Sequence, residues 1–425
     1  MQFSFIHAAD LHLDATFKGV SSKASHLDHH LKKASTRAFE NLVTLALEKK
    51  VDFVLIAGDI FDWREQSIQA QMLFAKAMRR LKEADITVFI VWGNHDPFDK
   101  LELAVELPEN VVTFPCDKPE THLVKKDGDI LCHVTGISHK GPKERRNLAS
   151  KIAVQLPASG FHIALLHANA GDTGHDNYAP CTLSDLKKAK VDYWALGHVH
   201  HKKILSESPY IVYPGNIQGL NPNEAGEKGC FLVTADSETE ELISMEFYPL
   251  DYIRWHNLEY DLSEIDQLDK MEEGIKKMLV ALDAQPQGTK FTPSAHLCRI
   301  LLKGRSPLFW PLQKEMALED LVEVLNDWLL ESGVQVWIEK IKRKIRPPLD
   351  LEARRKRDDL LGEVLKMTGL LHKNERERKE AIEKCFAPMK SNRKLRKLLD
   401  DLPSGFDLEL IDEVEGLLIN MLEGD

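Results

Sequence analysis

At 425 residues the chain exceeds what one hydrophobic core usually serves, so two or three domains are expected. Six scattered cysteines with no C-x-x-C pair fit a reduced, cytoplasmic protein; no apolar run approaches the roughly 18 residues that span a bilayer, and the N-terminus enters a strand-like run with no signal peptide. The net charge of −11 conceals an asymmetry, −12 over residues 1–337, +9 over 338–400 and −8 over 401–425, so it does not exclude a polyanionic substrate.

In chain order, five short runs rich in β-branched and aromatic residues read as buried strands, and each leads into residues that carry chemistry. Phe3-Ser-Phe-Ile6 leads to Asp10-Leu-His12, Val51-Asp-Phe-Val-Leu-Ile56 to Gly58-Asp59-Ile-Phe-Asp62, and Thr87-Val-Phe-Ile-Val91 to Gly93-Asn94-His95-Asp96. Ile163-Ala-Leu-Leu166 leads to His167, and Tyr193-Trp-Ala-Leu196 to Gly197-His198-Val-His200. Helical periodicity over 36–49 and 68–84 alternates with the first three strands, which predicts a layered α/β domain. Ligands of open α/β sheets bind at the carboxyl ends of the strands, where all five motifs fall, so one shared cleft is expected.

Residues i and i+2 of an extended chain point the same way, which pairs Asp10 with His12 and His198 with His200. Glycines at 58, 93 and 197 let the backbone turn sharply and keep Cβ atoms out of the site. A mixture of Asp, Asn and His without thiolate suits Mn, Fe or Zn better than Ca, and does not suit an iron–sulfur cluster. A lone His167 would ordinarily be a core or turn residue, and only its place in the series makes it a ligand candidate. Asp62 suits a helix N-cap or a supporting role more than direct ligation. His7 reads as a packed strand residue and His201 as a surface one; His133, His139, His162 and His175 carry no motif and receive no role.

The ordered series D-x-H, G-D-x-x-D, G-N-H-D, H, G-H-x-H resembles that of the calcineurin-like metallophosphoesterases. The resemblance implies β-sheets flanked by helices and two divalent cations, expected to be Mn2+. Carried over by motif, it implies Asp10, His12, Asp59 and His200 on the first cation, and Asp59, Asn94, His167 and His198 on the second, with Asp59 bridging. His95 would contact the scissile phosphate or protonate the leaving oxygen, and Asp96 would orient His95. The reaction implied is in-line displacement at phosphorus.

The phrase Phe5-Ile-His-Ala-Ala-Asp10-Leu-His12-Leu-Asp14 is similar to the DNA-repair exonuclease branch of that family, SbcD-like and within it the YhaO-type subgroup. So is Val212-Tyr-Pro-Gly-Asn-Ile-Gln218, ahead of the closing run Gly229-Cys-Phe-Leu-Val233. This branch implies DNA as substrate, an SMC-like coiled-coil ATPase as partner, and a homodimer. No Walker A loop is present, so nucleotide hydrolysis would come from another chain.

Three regions are expected: residues 1–250 as the metallophosphoesterase (nuclease) domain, 251–346 as a small α/β capping domain, and 347–425 as a helical C-terminal region that binds a partner or DNA. Strand-like Leu297-Cys-Arg-Ile-Leu-Leu302 and Val334-Gln-Val-Trp-Ile338 fall in the middle region, and Pro347-Pro348 reads as a hinge. The basic runs 340–346 and 354–357 read either as phosphate contacts or as a solvated helix face. Leu360, Leu361, Val364, Leu365 and Leu371 recur at helical spacing, as do Leu410, Ile411, Val414, Leu417, Leu418 and Met421; such stripes form an internal core or dock on a partner's helices. The function expected is a metal-dependent DNA phosphodiesterase, an exonuclease subunit acting with the ATPase. The alternatives are a phosphatase or phosphodiesterase for small molecules or nucleotides, and a largely non-catalytic adaptor.

Overall fold

The computed structural model describes residues 1–15, 17, 28–65, 67–153, 159–171, 177–284, 290–348, 351–389 and 406–423. His175, Gly424 and Asp425 lie outside the described residues. The chain forms two compact units, Met1–Asn257 with Asp283–Arg299 and Gly333–Glu339, and Leu258–Leu282 with Ile300–Ser332 and Lys340–Asp425.

The first unit begins β1 (Gln2–Ala8), α1 (Asp28–Lys49), β2 (Phe53–Ala57), α2 (Ile68–Lys82), β3 (Thr87–Val91), β4 (Val111–Thr113). It continues β5 (Glu120–Lys126), β6 (Asp129–Ile137), α3 (Leu148–Ala153), β7 (His162–His167), α4 (Leu183–Lys188), β8 (Tyr193–Gly197). Strands β9 (Lys203–Glu207), β10 (Tyr210–Tyr213), β11 (Gly229–Asp236) and β12 (Glu241–Pro249) complete two six-stranded sheets, ordered β12-β11-β1-β2-β3-β4 and β5-β6-β7-β8-β10-β9. Strands β1, β2 and β3 pair in parallel, as the helical crossovers between them require. The closing run around Val233 pairs antiparallel with β1, setting Phe5 opposite Val233.

Strand β2 shows why these runs are apolar on both faces. Phe53, Leu55 and Ala57 enter a core between the two sheets, while Val54 and Ile56 pack under α1 and α2. The period of two sends successive side chains to opposite faces, and both faces are covered. Between the sheets Phe5 stacks on Phe53 at 5.1 Å and meets the Tyr193 ring edge-on at 5.3 Å, geometries that add to the area buried. The second sheet covers its outer face with α3 and α4 through Leu148, Ile152 and Leu186.

His7 is a fully buried strand residue, its Nδ1 3.0 Å from the Tyr193 hydroxyl and its Nε2 3.2 Å from the Leu196 carbonyl. Burial pushes its imidazole from 6.5 down to about 3. Between those values the unfolded chain takes up a proton that the fold refuses. The stability that neutral His7 contributes is therefore full above pH 6.5 and falls by about 1.4 kcal/mol for each pH unit from there down to about 3. Urea unfolding of chelator-treated protein on either side of pH 6.5 checks this: His7→Gln loses less stability than wild type on acidification, and equal losses would reject the assignment.

In the second unit and its approach, β13 (Ile253–Asp261), α5 (Leu268–Asp283), β14 (Ala295–Arg305), α6 (Phe309–Leu312), α7 (Ala317–Ser332) and β15 (Val336–Arg346) build a three-stranded sheet, β13-β14-β15, with helices. Helix α5 buries Met271, Ile275, Leu279 and Leu282, an amphipathic stripe. The basic run 340–346 is a strand, not a helix face: Ile341 and Ile345 are buried while Lys340, Lys342, Lys344 and Arg346 are exposed.

The tail is helical where described, as α8 (Leu351–Arg355), α9 (Leu360–Lys373), α10 (Glu375–Phe386) and α11 (Phe406–Glu423). Its apolar stripes divide. Leu351, Leu361, Leu365 and Ile419 form a small core with Trp310, and Ile411 is buried, whereas Leu360, Val414, Leu417 and Met421 are exposed.

Candidate metal centre

The five motifs meet because β1, β2, β3, β7 and β8 end at the same edge of the facing sheets. Backbone bonds zip the first two loops together: Asp10 N–H donates to the Gly58 carbonyl and His12 N–H to the Asp59 carbonyl, both at 3.0 Å. The pairing of Asp10 with His12 does occur, but not through extended chain. Asp10, His12 and Asp59 adopt left-handed φ of 53°, 43° and 54°, and His198 has φ 102°. Such conformations cost of order 1–3 kcal/mol each and persist where the surroundings over-determine them. Two glycines show what close approach demands. A Cβ on Gly58, at φ +88°, would lie 2.6 Å from His167 Nδ1, and one on Gly197 would lie 1.9 Å from the Ala57 carbonyl oxygen.

Asp10, His12 and His200 offer ligand atoms within 4.8 Å of one another, and so do Asp10, Asp59 and His167. His12 Nε2 and His200 Nε2 are 3.2 Å apart, and His200 Nε2 lies 3.9 Å from Asp10 Oδ1. Asn94 Oδ1 faces both His167 Nε2 at 2.9 Å and His198 Nδ1 at 3.1 Å. Asp59 turns Oδ2 to His167 Nε2 at 3.4 Å and accepts the His95 N–H on Oδ1 at 2.8 Å. All seven ligand candidates, Asp10, His12, Asp59, Asn94, His167, His198 and His200, thus converge, and Asp10 is common to both groupings.

The donor set fits cations for a reason visible at His167. Burial holds this imidazole neutral, well below its ordinary value, and its Nδ1–H donates to the Ala57 carbonyl at 2.8 Å. Nε2 is then an acceptor, yet it faces the acceptor oxygens of Asn94 and Asp59. A metal ion reconciles three lone pairs aimed at one point. The carboxylates add to the case, since Asp10 and Asp59 are each 1 % exposed. Burial pushes Asp10 upward, with Asp59 adding and His200 opposing. Asp59 is held low, burial notwithstanding, by the charge on His95 and by the hydrogen bond from the His95 N–H.

His95 and Asp96 part company. Asp96 is fully buried and accepts N–H bonds from Ile60 at 2.6 Å and Gly93 at 2.7 Å, with longer ones from Asp59 and Phe61. It shapes the two loops and does not hold the His95 ring. That contact belongs to Asp62, whose Oδ2 is 3.0 Å from His95 Nδ1. Asp62 is also not the cap of α2: Ser67 Oγ accepts the Ala70 N–H there. Burial works to lower the His95 pKa, but Asp59 and Asp62 outweigh it and the net shift is upward.

Two buried residues have no motif to announce them. His139 Nε2 donates to the His167 carbonyl at 2.6 Å, and its own backbone bonds Trp92 and Phe98, tying β7 to the loop that carries His95. Glu224 Oε1 lies 2.9 Å from His200 Nδ1. Nothing local in Asn221-Pro-Asn-Glu224 signals that contact. His201 is exposed, as expected of a surface residue, with Nε2 3.1 Å from the Asn223 carbonyl.

Two sheets flanked by helices, with carboxylates and imidazoles gathered at their strand ends, define a metallophosphoesterase. A family model described as calcineurin-like phosphoesterase matches residues 3–202, and one described as the middle domain of metallophosphoesterase YhaO matches residues 255–346. The chain is 33% identical over 337 residues to the uncharacterized metallophosphoesterase YhaO of Bacillus subtilis, covering 79% of this chain and 80% of that protein. It is 27% identical over 304 residues to the DNA double-strand break repair protein Mre11 of Sulfurisphaera tokodaii, covering 68% and 71%, and 25% identical over 322 residues to that of Aeropyrum pernix, covering 71% and 74%. The chain belongs to the calcineurin-like metallophosphoesterases, a hydrolase family that uses divalent metals. Among the described residues no helix is long and apolar enough to cross a membrane, and all six cysteines are free thiols, Cys385 alone being exposed.

Proposed function

We propose that this chain is a metal-dependent DNA phosphodiesterase, an exonuclease subunit that works in the cytoplasm with an SMC-like coiled-coil ATPase. The observation that carries the phosphodiesterase part is the acceptor face of His167 directed at the oxygens of Asn94 and Asp59. Asp10, His12, Asp59 and His200 would hold one divalent cation and Asp59, Asn94, His167 and His198 a second. Mn2+ suits this oxygen and nitrogen set. When bound, such cations neutralise the phosphate oxygens and lower the pKa of the attacking water.

The chain's own residues supply the rest. His95, raised in pKa and held through Nδ1 by Asp62, keeps its other nitrogen for the leaving oxygen. Asp96 keeps the Asp59 and Gly93 loops in register with it. The DNA part is supported by the similarity to proteins named for double-strand break repair. The partner is supported by the exposed Leu360, Val414, Leu417 and Met421 on the tail helices.

Purified protein given Mn2+ and end-labelled linear duplex DNA should release nucleotides, beside parallel hydrolysis of a small phosphodiester. Cleavage of the small ester with intact DNA, in the presence as well as the absence of the ATPase, would reject the DNA reading and favour a small-molecule phosphodiesterase.

A further inference from the structure

One buried carboxylate beside the metal centre has no part in the chemistry above. Glu224 ends a short 3-10 turn, Pro222–Glu224, and is 7 % exposed. Both its oxygens are saturated. Oε1 is 2.9 Å from His200 Nδ1 and accepts from Asn221 Nδ2 at 2.6 Å; Oε2 accepts from Leu220 N–H and Asn216 Nδ2, each at 2.8 Å. Four donors from four residues leave the carboxylate no freedom to rotate.

An ionised carboxylate only accepts, so the His200 nitrogen facing it must carry the proton. In a histidine the bond made by one nitrogen decides what the other presents. With Nδ1 committed to Glu224, Nε2 is turned to His12 Nε2 and Asp10 Oδ1. The backbone of His200 is held from the same loop, because Lys228 Nζ, itself 3 % exposed, donates to the His200 carbonyl at 2.7 Å. The loop is anchored in turn by Gln218, whose side chain accepts from the Tyr252 and Ile253 N–H groups and donates to the Ile253 carbonyl.

We propose that Glu224 is a positioning residue of the metal centre, acting through His200, whose ring it locks with Nε2 presented to the cation. The proposal rests on the metal-centre reading above. Carboxylate partners of metal-bound imidazoles typically contribute about 10- to 100-fold in metal affinity, and a loss of that size is expected in Glu224→Ala.

The test is a double-mutant cycle on the full chain, with Mn2+ affinity read by titration calorimetry in wild type, Glu224→Ala, His200→Ala and the double variant. Action through His200 predicts that Glu224→Ala weakens binding in the wild-type background and costs nothing further once His200 is gone. An equal additional loss in the His200→Ala background would show that Glu224 merely supports the fold, and overturns the proposal. Wild-type affinity in Glu224→Ala overturns it as well. Unchanged affinity in His200→Ala would instead reject the metal-centre reading. Thermal unfolding checks that each protein is folded, and Glu224→Asp, which keeps the charge but withdraws it from His200, replaces alanine in the cycle if the latter does not fold.

Discussion

Replacing Asp59 with alanine should abolish hydrolysis of any phosphodiester and strip the protein of bound metal. Asp59 is 1 % exposed, with one oxygen toward His167 and the other fixed by the His95 N–H. As the carboxylate proposed for both cations, it would link the group formed by Asp10, His12 and His200 to the side chains of Asn94, His167 and His198. Two dications held close together repel, and a shared carboxylate offsets that repulsion. The check is metal content by mass spectrometry after gel filtration in Mn2+, beside turnover of a small diester. Full metal content and activity in Asp59→Ala would reject the assignment. Asp10 belongs to both ligand groupings, so the same assay on Asp10→Ala is informative: if it loses all metal while Asp59→Ala loses only part, Asp10 is the bridging carboxylate.

His95→Ala should show the opposite pattern, an activity loss of about 10²- to 10⁴-fold, the usual range for a general acid, with metal content unchanged. Its side chain is 36 % exposed, and its backbone N–H, which supports Asp59, survives the substitution. The sign of the pH effect follows from its partners. Asp59 and Asp62 raise the His95 pKa against the effect of burial, so the acid form persists to higher pH and activity falls as pH rises through that pKa. Asp62→Asn should move this alkaline limb to lower pH. An unmoved limb would mean that Asp62 does not act through His95, and metal loss in His95→Ala would place His95 among the ligands.

Where strands would form, and that the motif residues would gather at their ends, was legible without coordinates. Phe53 to Ala57 is apolar throughout because one face meets a sheet and the other meets helices, and a local run of residues records that directly. The metal-centre candidates were legible for a similar reason, since each lies within a few residues of a strand end and the strands share an edge.

The contacts between those residues were not legible. Asp62 reaches His95 across 33 positions, Glu224 reaches His200 across 24, and His139 reaches His167 across 28. No periodicity or spacing encodes such pairs, so Asp96 was expected where Asp62 stands. The left-handed backbone at Asp10, His12 and Asp59 is likewise hidden, because a residue's neighbours in sequence do not force it to accept a strained φ. The amino-acid sequence by itself determined the strand runs, the order of the motifs and the chemical type of the ligand candidates, all of which depend on local residue chemistry. Only the tertiary structure decided which oxygen holds which imidazole, because that depends on how loops from different strand ends, often of the same sheet, pack against one another.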